Sequence, residues 1–144
     1  DRGWLENLEY PGVRGMLERL SAAGKHLMVA TSKPEVFAMR ILKHFNLDGY
    51  FEHVAGADLE ETRVKKADVM RYLLERAGLG TDRESIARMV MVGDREHDVL
   101  GAAELGIDCV GVLHGYGSRE ELEQSGACAV VRDARELEEL LLTM

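Results

Sequence analysis

Two acidic residues, Asp94 and Asp98, follow the apolar run Met89–Val92 and a single glycine. A short apolar run predicts a buried parallel strand, so Asp94 stands at the carboxyl edge of a sheet, where open α/β folds bind ligands. Asp98 comes four residues later, where a helical pattern has begun, and both carboxylates can face one point beyond that edge. Converging carboxylates repel unless a cation lies between them, which favours Mg²⁺. The alternative is a capping Asp94 and a solvated Asp98.

Two hydroxyl residues, Thr31 and Ser32, follow a second apolar strand, His26–Ala30, and precede Lys33-Pro34. Such a turn brings two hydroxyl groups close to the free backbone N–H groups of the next helix. This arrangement suits a phosphate group. A plain N-cap role for Ser32 is the alternative, and it is compatible with phosphate binding.

Lys65 and Lys66 stand at the head of a helix whose apolar stripe is Val69, Leu73 and Ala77. Cations normally favour the other end of a helix, because the helix dipole places its positive pole at the N-terminus. The two lysines therefore indicate an anionic partner. The alternative is a pair of solvated lysines.

Apolar periodicity predicts alternating helices and strands along most of the chain. Strands are expected at His26–Ala30, Val54–Ala57, Met89–Val92, Asp108–Leu113 and Ala129–Val131, with helices from Pro11, Glu35, Lys66, the region after Asp94, Ser118 and Ala134. The alternation implies right-handed βαβ units and a parallel sheet covered on both faces, an α/β fold. On the helix from Glu35 to His44, the predicted core residues are Val36, Phe37, Ile41 and Phe45.

The composition describes one ordinary globular domain. The chain has 144 residues, of which 46% are hydrophobic and 31% charged. Its net charge of −8 argues against nucleic acid or an anionic membrane as a partner. Cys109 and Cys128 lack C-x-x-C spacing and are expected to be buried free thiols in a reducing cytosol. With no signal peptide or membrane-length apolar run, a cytoplasmic location is predicted.

A hydroxyl to hold phosphate, a lysine to balance its charge and acids to hold Mg²⁺ make up much of a phosphoryl-transfer site. In this order they resemble motifs II, III and IV of the haloacid dehalogenase (HAD) superfamily of phosphohydrolases. The strings Tyr10–Val13, Ala30–Phe37, Val92–Asp98 and Gly115–Ser118 are similar to the phosphoglycolate phosphatase/5′-nucleotidase-like branch. The resemblance runs from about Tyr10 to the C-terminus and implies a three-layer Rossmann-like core. It also implies a Mg²⁺-dependent phosphatase that acts on a small phosphorylated metabolite.

The resemblance implies a role for each matching residue. Thr31 would hydrogen-bond the transferring phosphoryl group, with Ser32 beside it, and Lys66 would balance charge on that group and on the nucleophile. The lysine before Lys66 is a less favoured substitute. Asp94 would ligate Mg²⁺ directly, and Asp98 would help through water or by orienting Lys66. Glu96 and His97, between the acids, are expected to be exposed helix residues.

The sequence departs from the family at motif I, the Asp-x-Asp that supplies the aspartate nucleophile and the general acid/base. Asp1-Arg2-Gly3 follows no strand, and Leu47–Tyr50 follows a helix and lies after motif II, so neither takes its place. Since the chain begins at Asp1, it is expected to be a piece of a longer protein. Residues 1–10 would then be the end of a cap domain or a linker, and residues 11–144 the C-terminal part of the core.

The strand that carries motif I is central in the family, between the strands that end at Thr31 and at Asp94. We therefore predict a gap between these two strands, or another segment that fills it. The segment would come from an N-terminal part of the protein or from another copy in a homo-oligomer.

Two hypotheses on function follow from the missing motif. In the first, this is part of a phosphatase that forms an aspartyl-phosphate on motif I. In the second, it is a catalytically inactive truncated paralogue that binds phosphate, metal or a protein. A receiver domain of the response-regulator kind is disfavoured, because that fold carries its acid pair at the first strand. Phosphoglycolate, a nucleoside monophosphate and a sugar phosphate all stay open as substrates.

Overall fold

Helices and strands alternate along the chain, as the apolar periodicity predicts. The computed structural model describes residues 12–58, 65–113 and 118–144. The helices are α1 (Val13–Ala22), α2 (Glu35–His44), α3 (Lys66–Arg76), α4 (Arg83–Ile86), α5 (Glu96–Leu105), α6 (Arg119–Ser125) and α7 (Ala134–Thr143). The strands are β1 (Met28–Pro34), β2 (His53–Ala57), β3 (Val90–Gly93), β4 (Asp108–Val112) and β5 (Ala129–Val131). Pro11, residues 1–10 and most of the Gly115–Ser118 string lie outside the described residues.

The strands form two parallel sheets, β1–β2 and β3–β4–β5. β3 pairs with β4 from Val90↔Asp108 to Gly93↔Gly111, and β1 pairs with β2 from Met28↔His53 onward. Within the described ranges, β1 and β3 are not paired with each other, and each has one edge without a neighbouring strand. The prediction that these two strands do not pair directly is therefore confirmed.

Helices cover both faces of the β3–β4–β5 sheet. Val110 and Val112 of β4 pack in a core that includes residues of α1, α2 and α7. Cys109 of the same strand packs in a second core, with residues of α3, α5 and α6. Because successive side chains of a strand point to opposite faces, the sheet lies between two helical layers. The α/β class and the three-layer arrangement are confirmed.

The predicted inward face of α2 is partly wrong. Ala38 and Leu42 are fully buried, whereas Val36 and Phe37 are 51% and 46% exposed. Ala38 and Leu42 are the buried residues of this helix that pack in the core. At about 3.6 residues per turn, Val36 lies on nearly the opposite side of the helix from Ala38, and Phe37 lies about a quarter turn away.

Three local predictions also differ from the structure. β1 continues to Pro34 instead of ending at Ala30, with an irregular register between these residues. Cys109 is buried, and burial raises the pKa of its thiol to about 12, but Cys128 is exposed because it precedes the edge strand β5. The short helix α4 was not predicted, since four residues are too few to show a helical period.

No helix within the described ranges is long and apolar enough to cross a membrane.

Candidate functional site

Four polar side chains are buried in the described part of the chain, and all four are predicted site residues. Thr31, Lys66, Asp94 and Asp98 are only 5%, 8%, 1% and 3% exposed. Burying a charge is unfavourable unless it is paired or coordinated, so side chains of this kind are rare in a core. Their burial together indicates a site that the fold is built to hold.

Lys66 is the first residue of α3, and its side chain contacts both α5 and β1. Its Nζ lies 2.7 Å from Asp98 Oδ1 on α5 and donates a hydrogen bond of 3.1 Å to the Ala30 carbonyl of β1. Gly101 of α5 makes room for the lysine, since a Cβ there would lie 2.9 Å from Lys66 Cγ. Lys65 is exposed and precedes the helix, so only Lys66 reaches the site.

Asp98 is the third residue of α5, and its carboxylate folds back over the loop before the helix. Oδ2 accepts hydrogen bonds from the N–H groups of Asp94 at 3.1 Å and Arg95 at 3.3 Å. A Cβ on Gly93 would lie 2.3 Å from Asp98 Cβ, so the loop can approach only because residue 93 is glycine. These contacts favour the role of orienting Lys66. Metal ligation by Asp98 stays a prediction.

Asp94 lies directly after β3 with its side chain turned away from solvent. Its Oδ2 has no hydrogen-bond partner among the described residues. Burial, and then the negative charge of Asp98, raise the pKa of Asp94 to about 6. A buried carboxylate oxygen that lacks a partner fits a hard cation such as Mg²⁺, which commonly uses one or two carboxylates together with substrate phosphate and water.

The described ranges hold no group of three acidic, histidine or cysteine side chains that could bind a metal. Two buried carboxylate oxygens in the described ranges lack a hydrogen-bond partner, Asp94 Oδ2 and Asp98 Oδ1. Because Asp98 Oδ1 is ion-paired with Lys66 at 2.7 Å, Asp94 Oδ2 is the better ligand atom for Mg²⁺. Further ligands would have to come from substrate, water or other parts of the protein.

Thr31 lies in the irregular last part of β1. Its Oγ1 accepts a hydrogen bond from the Lys33 N–H at 3.1 Å, which leaves the hydroxyl proton available for an anion. Gly56 of β2 permits the backbone of β1 to pass close by at Lys33, because a Cβ on residue 56 would lie 2.5 Å from the Lys33 carbonyl oxygen. Ser32 is half-buried, and its contact with phosphate stays a prediction.

Two side chains near the site were not assigned a role from the sequence. His97 is half-buried instead of exposed, and its Nε2 lies 3.7 Å from Asp98 Oδ1. Glu121 of α6 contacts the loop that carries Asp94, with Oε2 at 2.7 Å from the Glu96 nitrogen. A periodicity cannot reveal a contact between residues 25 positions apart. The Ser-x-x-Glu sequence at 118–121 was the only available signal.

The sequence profile of the haloacid dehalogenase-like hydrolase family matches residues 6–112. The chain belongs to this family. The resemblance to the HAD superfamily is thereby confirmed. The HAD architecture also agrees with a solved structure, that of a predicted phosphatase from Clostridium acetobutylicum. The two structures superimpose with a TM-score of 0.88 and share 39% sequence identity. The alignment covers 94% of this chain and 60% of the Clostridium chain.

The curated relatives of this HAD chain carry several names. A 5′-nucleotidase of Pseudomonas aeruginosa is 42% identical over 83% of this chain and 52% of its own length. The tyrosine-protein kinase PtkA of Mycobacterium tuberculosis is 42% identical over 96% of this chain and 46% of its own length. A phosphoglycolate phosphatase of Colwellia psychrerythraea is 30% identical over 85% of this chain and 52% of its own length. The chain thus spans about half the length of these relatives.

Proposed function

We propose that the complete protein is a Mg²⁺-dependent phosphatase that hydrolyses a small phosphorylated metabolite. The observation that carries this proposal is the buried group of Thr31, Lys66, Asp94 and Asp98 at the carboxyl ends of β1 and β3. The family match and the relatives named as a nucleotidase and a phosphoglycolate phosphatase support the same class of substrate.

Lys66 and Thr31 bind the phosphoryl group in this proposal. The lysine ammonium has three N–H donors, and Asp98 and the Ala30 carbonyl occupy two of them. The third is available to a phosphoryl oxygen, as is the hydroxyl proton of Thr31. Because Asp98 lies 2.7 Å from the ammonium, the ion pair orients the lysine toward the negative group.

Asp94 would hold Mg²⁺ through its unpartnered Oδ2. When bound, Mg²⁺ would neutralise phosphoryl charge and orient the group for in-line displacement. A cation would offset the burial and the negative charge of Asp98 that raise the pKa of Asp94. Asp98 serves this arrangement by fixing both the Asp94 backbone and the Lys66 ammonium.

The nucleophile is proposed to be the first aspartate of motif I, on a segment outside these 144 residues. Its carboxylate oxygen attacks phosphorus, and the bond to the ester oxygen breaks as the second acid of the motif protonates that oxygen. Water then hydrolyses the aspartyl-phosphate and releases inorganic phosphate. A strand carrying this motif would fit the gap between β1 and β3, where both strands have an unpaired edge in the described ranges.

The test is a turnover assay of the complete protein and of the isolated 144-residue chain with Mg²⁺. Substrates are phosphoglycolate, nucleoside monophosphates and sugar phosphates. The complete protein is expected to release phosphate from one of these classes, and the isolated chain none above background. Clear turnover by the isolated chain would show that no outside nucleophile is needed and would overturn the mechanism.

A second candidate function is phosphoryl transfer to tyrosine, because the relative PtkA is named a tyrosine-protein kinase and covers 96% of the chain at 42% identity. The same buried lysine and acids could serve either acceptor, water or a phenol hydroxyl. Incubation of the complete protein with ATP and a tyrosine peptide distinguishes the two. Phosphopeptide without hydrolysis of any monoester would favour the kinase, whereas phosphate binding without either reaction would favour an inactive paralogue.

A further inference from the structure

The carboxylate of Glu121 joins α6 to the loop that carries Asp94. Its Oε2 accepts a hydrogen bond from the Glu96 N–H at 2.7 Å and another from Arg95 Nε at 3.1 Å. The first N–H groups of a helix have no partner within the helix, so α5 needs an acceptor at this point. Asp98 takes the N–H groups of Asp94 and Arg95. Three successive backbone N–H groups are thus held by two carboxylates.

Glu121 is itself firmly held on α6. The Ser118 hydroxyl caps that helix by accepting a 3.0 Å hydrogen bond from the Glu121 N–H. The next residue, Leu122, is fully buried against β4, where a Cβ on Gly111 would lie 2.9 Å from Leu122 Cδ1. In a Ser-x-x-Glu capping box the glutamate would return to its own helix start. Here its Oε2 caps α5 instead, so a neighbouring helix supports the loop.

The second contact of Glu121 restrains a cation. The Arg95 guanidinium belongs to the residue next to Asp94 and pairs with Glu121. The pair holds the Arg95 side chain against α6, at the residue that follows Asp94. Glu121 therefore restrains this loop through two contacts, one with the backbone N–H of Glu96 and one with the side chain of Arg95.

We propose that Glu121 is a positioning residue, which keeps Asp94 directed and available for a metal ion by fixing the Arg95–Glu96 backbone and the Arg95 guanidinium. This inference rests on the proposed function and adds a residue to it that touches neither metal nor substrate. Groups that orient metal ligands from outside change metal affinity or activity by about 10- to 100-fold when they are removed.

The test compares Glu121→Ala with Glu120→Ala in the complete protein. Glu120 is the adjacent acid of α6, exposed and bonded only to Gln124 of its own helix among its described partners, so it controls for charge and for helix propensity. Two quantities are measured: the Mg²⁺ concentration for half-maximal phosphatase activity, and the Mg²⁺ concentration that raises Tm half-maximally without substrate. For Glu121→Ala both are expected to rise by about 10-fold or more, with no change for Glu120→Ala.

Glu121→Gln provides a second variant, which can still accept the Glu96 N–H but pairs poorly with Arg95. It is expected to shift both Mg²⁺ concentrations in the same direction by a smaller factor, and it replaces Glu121→Ala if that variant does not fold. A lower metal-free Tm with unchanged Mg²⁺ concentrations would overturn the proposal, since it would show a structural role only. A wild-type protein that hydrolyses no monoester but is stabilised by Mg²⁺ would refute the phosphatase, and the Tm titration would still decide the role of Glu121. No Mg²⁺ effect in the wild type would overturn both.

Discussion

The two sides of the site are held together by different forces. On the acid side, at β3 and α5, a buried ion pair of 2.7 Å between Lys66 and Asp98 carries the arrangement. On the hydroxyl side, at β1 and α2, backbone contacts place Thr31, through the Lys33 N–H and the close approach to Gly56. Substitutions on the acid side should therefore act through uncompensated charge, whereas those on the hydroxyl side should act through local backbone position.

The largest expected effect is that of Lys66→Met, which removes the partner of a buried carboxylate. Breaking a buried ion pair from one side costs about 3–5 kcal/mol of stability, because the remaining charge is left desolvated. Urea unfolding of the complete protein measures this loss. The control Lys65→Met changes an exposed lysine and should stay within about 0.5 kcal/mol. Equal losses would mean that the ion pair does not hold the acid side together.

The second-largest expected effect is that of Asp94→Asn, which should raise the free energy of unfolding of the metal-free protein. Since the pKa of Asp94 is raised from 3.8 to about 6, the folded protein holds this proton more tightly than the unfolded chain. The free energy of unfolding therefore falls as the pH rises between these two values and is flat above them. Asparagine has no such proton to lose, so at neutral pH the variant should be more stable by about 2–3 kcal/mol.

Urea unfolding with a chelator, at pH 4 to 8, measures the effect of Asp94→Asn, with Glu96→Gln as the exposed control. Adding Mg²⁺ should stabilise the wild type more than Asp94→Asn, because ligand binding to the folded state adds to its stability. A metal-free Asp94→Asn variant less stable than the wild type would contradict the expected strain on this carboxylate.

Two glycine substitutions compare the sides directly. The added methyl group of Gly93→Ala would clash with Asp98, and that of Gly56→Ala would clash with the backbone of Lys33 and Glu35. Each substitution is expected to lower the free energy of unfolding by about 1–3 kcal/mol. Gly93→Ala should mainly weaken Mg²⁺ activation, and Gly56→Ala should mainly raise KM for the phosphorylated substrate. Gly49→Ala is the control, since a Cβ there meets no atom within 4 Å. The same kinetic change in both variants would argue that the two sides are not independent.

The smallest expected change in stability is that of Thr31→Val, about 1 kcal/mol, since only the acceptor of the Lys33 N–H is lost. KM for the substrate should nevertheless rise, because the phosphoryl group loses a hydroxyl donor. Steady-state kinetics of the complete protein measure this, and Thr31→Ser, which keeps the hydroxyl, should stay near the wild type. An unchanged KM in Thr31→Val would remove Thr31 from the phosphate site.

Sequence reasoning identified the four buried polar residues because each lies at a strand end or a helix start, which local periodicity reveals. It also predicted that β1 and β3 do not pair, although only through the family resemblance. Its prediction for the inward face of α2 is partly wrong, because Val36 and Phe37 are about half exposed. A helix with several apolar residues can turn more than one of its sides to the core, and the packing of Ala38 and Leu42 against other elements selects the side.

The order of the elements, the α/β class and the residue types at the strand ends can be predicted from local sequence patterns. Those properties depend on neighbours a few positions away, through the periods of helix and strand. The partner of each charged oxygen depends on the fold: Asp98 pairs with Lys66, Asp94 Oδ2 has no hydrogen-bond partner among the described residues, and Glu121 contacts the start of α5. These pairings join residues up to 32 positions apart, and they follow from how α3 and α6 pack against α5 and the sheets, which no local pattern encodes.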